Sequence, residues 1–351
     1  TASHNPKEYN GLKFCLKGGE PIGYDAGLDR VEELSNKPIK IKKPRGRLTK
    51  KSIKTHYVKT LASFATTINS TAPIVIDASN GSTGQILPEL LQKLKLRKIK
   101  RLNFKADGRF STHPPDPLEP KSLRLLGKEV RAQKARIGII FDADGDRLHI
   151  VDEKGKHVRP EYILILLAKY LAKPGQKIVY DLRSSWSVRE ELRRARLEGM
   201  PSKVGRTNIY REMKRTKARL GGELSGHYFF KELGYIDDAA LAMIHLFSLL
   251  NDHEGYISEL IRPFDRYYTS GELNFRVKER EAAITRVYNA IRAKFKDAKI
   301  DFLDGLSIEC KDWWFNLRPS NTQALIRLVV EARDEKLLDK RVRMLTKLIE
   351  Q

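Results

Sequence analysis

Three short apolar runs in this chain each empty into a polar loop, and that pattern predicts an α/β fold. Ile74-Val75-Ile76-Asp77 leads into residues 78–84 and then into helical spacing over 86–96. Lys177-Ile178-Val179-Tyr180-Asp181 leads into Leu182-Arg183-Ser184-Ser185 and helical spacing over 188–197. Ile137-Gly138-Ile139-Ile140-Phe141 ends on an aspartate loop, and residues 148–151 beyond it predict a further strand. Strands that are apolar at every position are covered on both faces, as in parallel sheets. Such sheets take ligands at their carboxyl ends. The apolar stretches 162–171 and 239–250 fall short of the roughly 20 residues of a membrane span and predict buried helices.

From residue 263 onward the pattern changes. Strands are expected at 271–277, 304–310, 313–317 and 324–332, with helices at 280–295 and 336–349, which together make a small α+β unit. The chain opens at Thr1 inside a motif, so a missing upstream part is expected. Cys15 and Cys310 are too far apart for zinc spacing and are expected to be buried thiols in a reducing cytoplasm.

Charge adds a competing hypothesis. The net charge is +23, and no acidic residue occurs from Leu34 to Ile76, while lysine and arginine crowd residues 37–54. A nucleic-acid-binding module is therefore an alternative. Against it, only Tyr57 and Phe64 stand nearby as platforms for bases, so a solvated basic linker accounts better for the run.

Four motifs carry chemistry. Ser3-His4-Asn5 precedes Pro6, with Lys13 ten residues on; the serine needs an activating partner, and a cap or turn is the rival explanation. Asp142, Asp144 and Asp146 alternate after a strand, and three carboxylates suit a hard cation. A calcium hand is disfavoured because Arg147 stands where its sharp turn needs glycine. A dehalogenase-type phosphatase would leave Ser3 without a role. Gly221 and Gly222 are expected to let backbone approach a ligand, beside Glu223, Ser225 and His227. A polar loop capping the helix near Asp238 explains that stretch equally well. Arg318-Pro319-Ser320-Asn321-Thr322 combines a forked cation with hydroxyls and an amide, a phosphate cradle.

In this order the motifs resemble those of the phosphohexomutases, the bacterial phosphomannomutase and phosphoglucomutase group. Ser3-His4-Asn5-Pro6 followed by Glu8-Tyr9-Asn10-Gly11-Leu12-Lys13 is similar to the phosphoserine segment of the mannose and glucose enzymes, and Trp314 to Thr322 also matches. The resemblance implies three related α/β domains of mixed sheets flanked by helices, the first incomplete, plus a C-terminal α+β domain. Boundaries are expected at 1–52, 53–153, 154–260 and 261–351.

It also implies a residue-by-residue site. Ser3 carries a phosphoryl group and holds one Mg²⁺ together with Asp142, Asp144 and Asp146. Lys13 and Arg147 flank the transferring group, Lys13 as proton shuttle. His4, Asn5, Arg183, Arg206, Glu223, Ser225 and His227 contact the sugar, and Arg318, Ser320, Asn321 and Thr322 hold the other phosphate. The expected activity is exchange of mannose 6-phosphate with mannose 1-phosphate, and of the glucose pair, through a hexose 1,6-bisphosphate. The enzyme is expected to be cytoplasmic, a monomer or homodimer, with a small sugar phosphate rather than a membrane or nucleic acid as partner. Two departures stand out: Lys203-Val204-Gly205-Arg206 replaces the family's Lys-Val-Gly-His, and Gln323-Ala324 replaces its Glu-Pro.

Overall fold

The computed structural model describes residues 2–5, 7–38, 46–66, 72–253, 255–320 and 325–351. Asn321, Thr322, Gln323, Ala324 and part of the basic run lie outside them. Among the described residues there are three five-stranded sheets.

The first sheet contains β1 (Ile74–Asp77), β2 (Ile99–Leu102), β3 (Ile137–Phe141), β4 (Leu148–Val151) and β5 (His157–Val158), in the order β2-β1-β3-β4-β5. β1 pairs in parallel with both β2 and β3, while β4 returns antiparallel to β3. The helices α1 (Leu28–Ser35), α2 (Lys54–Ala62), α3 (Leu87–Lys93) and α4 (Pro120–Ala132) accompany this part of the chain. β1, β3 and β4 are buried at every position, as their predominantly apolar sequences lead one to expect.

The second sheet repeats this plan. It consists of β6 (Lys177–Asp181), β7 (Glu198–Ser202), β8 (Leu220–Gly222), β9 (Tyr228–Phe230) and β10 (Ile236–Asp237), in the order β7-β6-β8-β9-β10. β6 again lies parallel to both neighbours, and β9 again returns antiparallel. Around it run α5 (Pro160–Leu171), α6 (Trp186–Arg194), α7 (Arg206–Thr216) and α8 (Ala239–Asn251), followed by α9 (Ile257–Ile261). The loop β3–β4 and the loop β8–β9 therefore hold the same position in two copies of one topology. α5 and α8 are buried almost all round and weld both sheets into one apolar core, as their lack of a polar face predicts.

The third sheet is antiparallel throughout: β11 (Tyr268–Phe275), β12 (Lys299–Asp301), β13 (Leu306–Glu309), β14 (Trp313–Pro319) and β15 (Ile326–Ala332), in the order β11-β15-β14-β13-β12. α10 (Arg280–Lys294) and α11 (Glu335–Glu350) cover one face. Strand alternation sorts its residues: Trp313, Phe315, Leu317, Leu328 and Val330 enter the helix-covered core, while Trp314 and Val329 pack with Trp186 of α6. Glu331, buried on that second face, accepts hydrogen bonds from Trp186 N and Trp314 Nε1, each at 2.9 Å.

Several expectations need correcting. Cys15 is exposed and Cys310 only half-buried. Cys15 lies on a surface turn bridged to Pro21, away from any core. Gly221 and Gly222 serve packing rather than ligand approach. A Cβ on Gly221 would strike Met213 and Ile209 of α7, and one on Gly222 would strike Leu164 of α5. β7 and β12 had not been anticipated, because Glu198-Gly199-Met200-Pro201-Ser202 and Lys299-Ile300-Asp301 carry too few apolar positions. β5 pairs with β4, which extends the first sheet to Val158, past the boundary expected after residue 153. Phe264 sits in the core shared by the first two sheets, so that unit runs beyond residue 260.

Asp238 caps α8 through Leu241 N at 2.7 Å and accepts from the Tyr57 hydroxyl at 2.6 Å. Burial pushes its carboxyl up to about 6. The folded protein then holds a proton there that the unfolded chain has lost, so stability falls as pH rises from about 4 to about 6. Asp238→Asn should keep the cap and flatten that slope, read from urea unfolding midpoints across this range.

Candidate functional site

The carboxyl ends of β1 and β3 lie side by side, and their loops are tied together: Ser82 N donates to Ala143 O at 2.7 Å. The β3–β4 loop turns at Gly145, whose φ of +77° suits glycine and whose Cβ position is filled by Thr83. That turn brings oxygens of Asp142, Asp144 and Asp146 within 4.8 Å of one another. Asp142 is fully buried. Its Oδ1 accepts from Gly145 N and Arg147 N, while Oδ2 accepts no hydrogen bond among the described residues. Burial, then the neighbouring Asp146 and Asp144, push the Asp142 carboxyl well above its usual range. A dehydrated carboxylate with a spare lone pair, beside two others, fits a hard divalent cation.

Ser3 is buried against this loop, its carbonyl accepting from Ala143 N at 3.4 Å. Lys13 reaches in from the same segment to bond Asp144 Oδ2 at 2.6 Å and to pair with Asp146. Burial opposes its charge, but Asp146 and Asp144 outweigh it and hold Lys13 as an ammonium.

The equivalent loop of the second sheet abuts the first. Arg147 and His227 form a β-bridge, and Leu148 N donates to Gly226 O at 2.9 Å. His149, by its sequence context an ordinary strand residue, bonds Ser225 O through Nε2 at 3.0 Å. His227 lies 3.2 Å from Asp146 Oδ1 and 3.0 Å from Glu223 Oε2. Ser225 Oγ lies 3.0 Å from the same Glu223 oxygen and 2.9 Å from His227 Nδ1. Burial alone would discharge the imidazole, yet its bonds to Asp146 and Glu223 push it up to about 10. Glu223 Oε1 also accepts from Gly205 N at 2.7 Å, orienting the carboxylate from both ends.

Arg206, at the departure from the family's histidine, bonds Asp237 through Nε at 2.7 Å to each oxygen. Arg183 is gripped by Asp181, Nε to Oδ1 at 3.0 Å, and pairs with Glu272 of β11. Arg318, buried at the end of β14, reaches the same Glu272 at 3.3 Å. Arg327 of β15 does so at 2.9 Å. Glu272 and Arg327 were missed in the motifs because each stands alone in its strand.

A single cleft of about 790 Å³ is lined by Ser3, His4, Lys13, Asp146, Arg147, Arg183, Arg206, Glu223, Ser225, His227, Arg318 and Ser320. Asn5 is half-buried beside it in sequence but is not among the lining residues. Tyr57 is committed to Asp238 and Phe64 packs against the main core, so neither is presented to a base.

Family models for phosphoglucomutase/phosphomannomutase match all four parts in order: α/β/α domain I at residues 1–41, domain II at 55–155, domain III at 159–267 and the C-terminal domain at 272–348. The chain belongs to the phosphoglucomutase/phosphomannomutase family. Among its relatives, a phosphomannomutase of Methanocaldococcus jannaschii is 37% identical over 99% of this chain and 78% of its own. One of Vibrio cholerae is 35% identical over 99% and 77%. The crystal structure of a phosphoglucomutase/phosphomannomutase family protein from Burkholderia thailandensis superposes with a TM-score of 0.85 at 28% identity, covering 99% of this chain and 74% of that one. The chain is thus an enzyme of the isomerase class, an intramolecular phosphotransferase. Among the described residues no helix is long and apolar enough to cross a membrane.

His227 is the shared counter-ion of buried Glu223 and Asp237 and of the half-buried Asp146. His227→Leu should cost about 3 kcal/mol by leaving buried Glu223 without its contacting cation, while Asp146 keeps Lys13 and Asp237 keeps Arg206, measured by urea unfolding at neutral pH.

Proposed function

We propose that this enzyme interconverts mannose 6-phosphate and mannose 1-phosphate, and also acts on the glucose pair, through a phosphorylated Ser3 and a hexose 1,6-bisphosphate. The observation that carries the proposal is the single cleft reached by the serine segment, the aspartate loop, the Glu223 loop and the Arg318 loop together. Relatives named phosphomannomutase support mannose as the sugar. Free Cys15 and Cys310 suit a reducing cytoplasm.

In this proposal Asp142, Asp144 and Asp146, with the Ser3 phosphate, hold Mg²⁺, which would offset charge on the phosphoryl group in transit. Ser3 Oγ gives its phosphoryl group to the free sugar hydroxyl, and that hydroxyl's proton ends on Ser3 Oγ. Lys13 is the relay; held as an ammonium by Asp144 and Asp146, it neutralises the leaving oxygen while passing a proton. Arg147 flanks the same group from the far side of the loop. His4 and Asn5 hold the serine turn against the sugar.

Glu223 accepts from sugar hydroxyls, and Ser225 and His227 fix its orientation. Arg183, Arg206 and Arg318, with Ser320, Asn321 and Thr322, hold the phosphate that is not in transit, so that the acceptor oxygen faces Ser3. The bisphosphate then re-docks end for end and returns its other phosphoryl group to Ser3. Four units serve this cycle: the serine segment, the two related α/β units and the C-terminal α+β unit.

Coupled assays with the paired mannose and glucose phosphates test the proposal. Turnover of glucosamine phosphate with neither hexose accepted would reject it. Ser3→Ala should abolish the gain of one phosphate from hexose bisphosphate while circular dichroism stays unchanged; an unaltered mass gain in the mutant would contradict the role of Ser3. Asp142→Asn should weaken Mg²⁺ binding at least about tenfold, read by titration calorimetry without substrate.

A further inference from the structure

Arg318 and Arg327 stand directly opposite one another on the paired strands β14 and β15. Like charges facing across a ladder repel, so this pair needs an anion between them. Arg183 arrives at the same point from the end of β6, adding a third guanidinium. One carboxylate is shared by all three, although Arg183 is also held by Asp181: Glu272 bonds Arg327 through Oε1 at 2.9 Å, and Arg318 through Oε2 at 3.3 Å, where it also pairs with Arg183.

Glu272 is delivered by a local irregularity. The β11–β15 register shifts between Thr269 and Glu272, around Gly271 at φ +63°, and bulges of this kind re-aim side chains next to sites. Glu272 itself lines the cleft and its side chain is about a quarter exposed, whereas Arg318 is almost wholly buried. The carboxylate can therefore swing into solvent and leave the arginines in place. Burial, then the proximity of Arg183, depresses the Arg318 guanidinium, and Glu272 opposes that shift.

We propose that Glu272 is an internal stand-in for phosphate: it occupies the Arg183–Arg318–Arg327 cradle when the cleft is empty and is displaced by the non-transferring phosphate of the substrate. Arg327 joins the phosphate cradle by the same geometry. The bound group is a phosphate monoester dianion, which offers more oxygens and more charge than the carboxylate it replaces. By competing for the cradle, Glu272 sets how readily that phosphate leaves, which matters where one intermediate must dock in two directions. This inference rests on the phosphate-binding role given to the Arg318 loop, but not on the identity of the sugar or on turnover.

The test is titration of inorganic phosphate into the intact chain by calorimetry, with no substrate and no turnover. Glu272→Gln removes the competing charge and should tighten phosphate binding about tenfold. Glu272→Asp, too short to span Arg327 and Arg318 together, should tighten it less. In turnover, Glu272→Gln should lower KM and lower kcat with it as release slows. Arg327→Gln in the Glu272→Gln background should reverse the gain. Phosphate binding unchanged or weaker in either Glu272 variant would overturn the proposal, because the carboxylate would then be bracing the arginines rather than competing with a ligand. Should Glu272→Gln fail to fold, as judged by thermal unfolding, the aspartate variant decides alone. If hexose phosphates are not turned over but phosphate binds and responds as stated, the sugar assignment fails and this inference stands.

Discussion

The backbone junction between two hairpin loops is what the site depends on. Leu148 N bonds Gly226 O, and Arg147 is bridged to His227, so the turns that close β3–β4 and β8–β9 cannot separate without losing main-chain pairing. Because the two sheets share one topology, these turns hold equivalent positions. One carries an acidic trio and the other a carboxylate braced by a histidine. The junction brings Asp146 and Glu223 onto opposite sides of His227, which must stay charged to hold both. A charge held this tightly in a buried place gives rigid geometry at a cost in desolvation.

A second consequence follows from alternation along β14 and β15. Odd and even residues part company: Phe315 and Leu317 stabilise the C-terminal unit from within, while Trp314, Arg318, Arg327 and Glu331 face the neighbouring unit and the cleft. Glu331 ties the back of that face to the start of α6 through Trp186. The front of the same face carries the arginines. Packing between units and the arginine cluster thus occupy two ends of one sheet surface, and anything that tilts the sheet moves those arginines relative to Ser3.

Electrostatics along the cleft run from acidic to basic. The Ser3 end is acidic, with Lys13 only partly compensating, and so suits a cation before it suits a phosphate. The Arg318 end is basic and over-supplied with guanidinium. In the proposed cycle the phosphate at the basic end would replace a carboxylate already present, while the phosphoryl group at the acidic end would need a cation to be tolerated. The chain's net charge of +23 adds a broad attraction for anions without selecting among them.

Local rules acted over a few residues, and those parts were readable from the chain alone: the buried strands β1, β3 and β6, the all-apolar helices α5 and α8, the aspartate loop, and the serine and Arg318 segments. Each depends on periodicity, or on several chemical groups within about six positions. The polar strands β7 and β12 were not readable, because their pairing comes from neighbours and not from their own side chains. Glycines 221 and 222 are small because α5 and α7 pack on them, a constraint that the sequence around them does not carry. Glu272, Arg327 and His149 carried no local signal at all. A lone charged residue in a strand says nothing until sheet register sets it opposite a partner, and only the folded chain placed three arginines around one carboxylate.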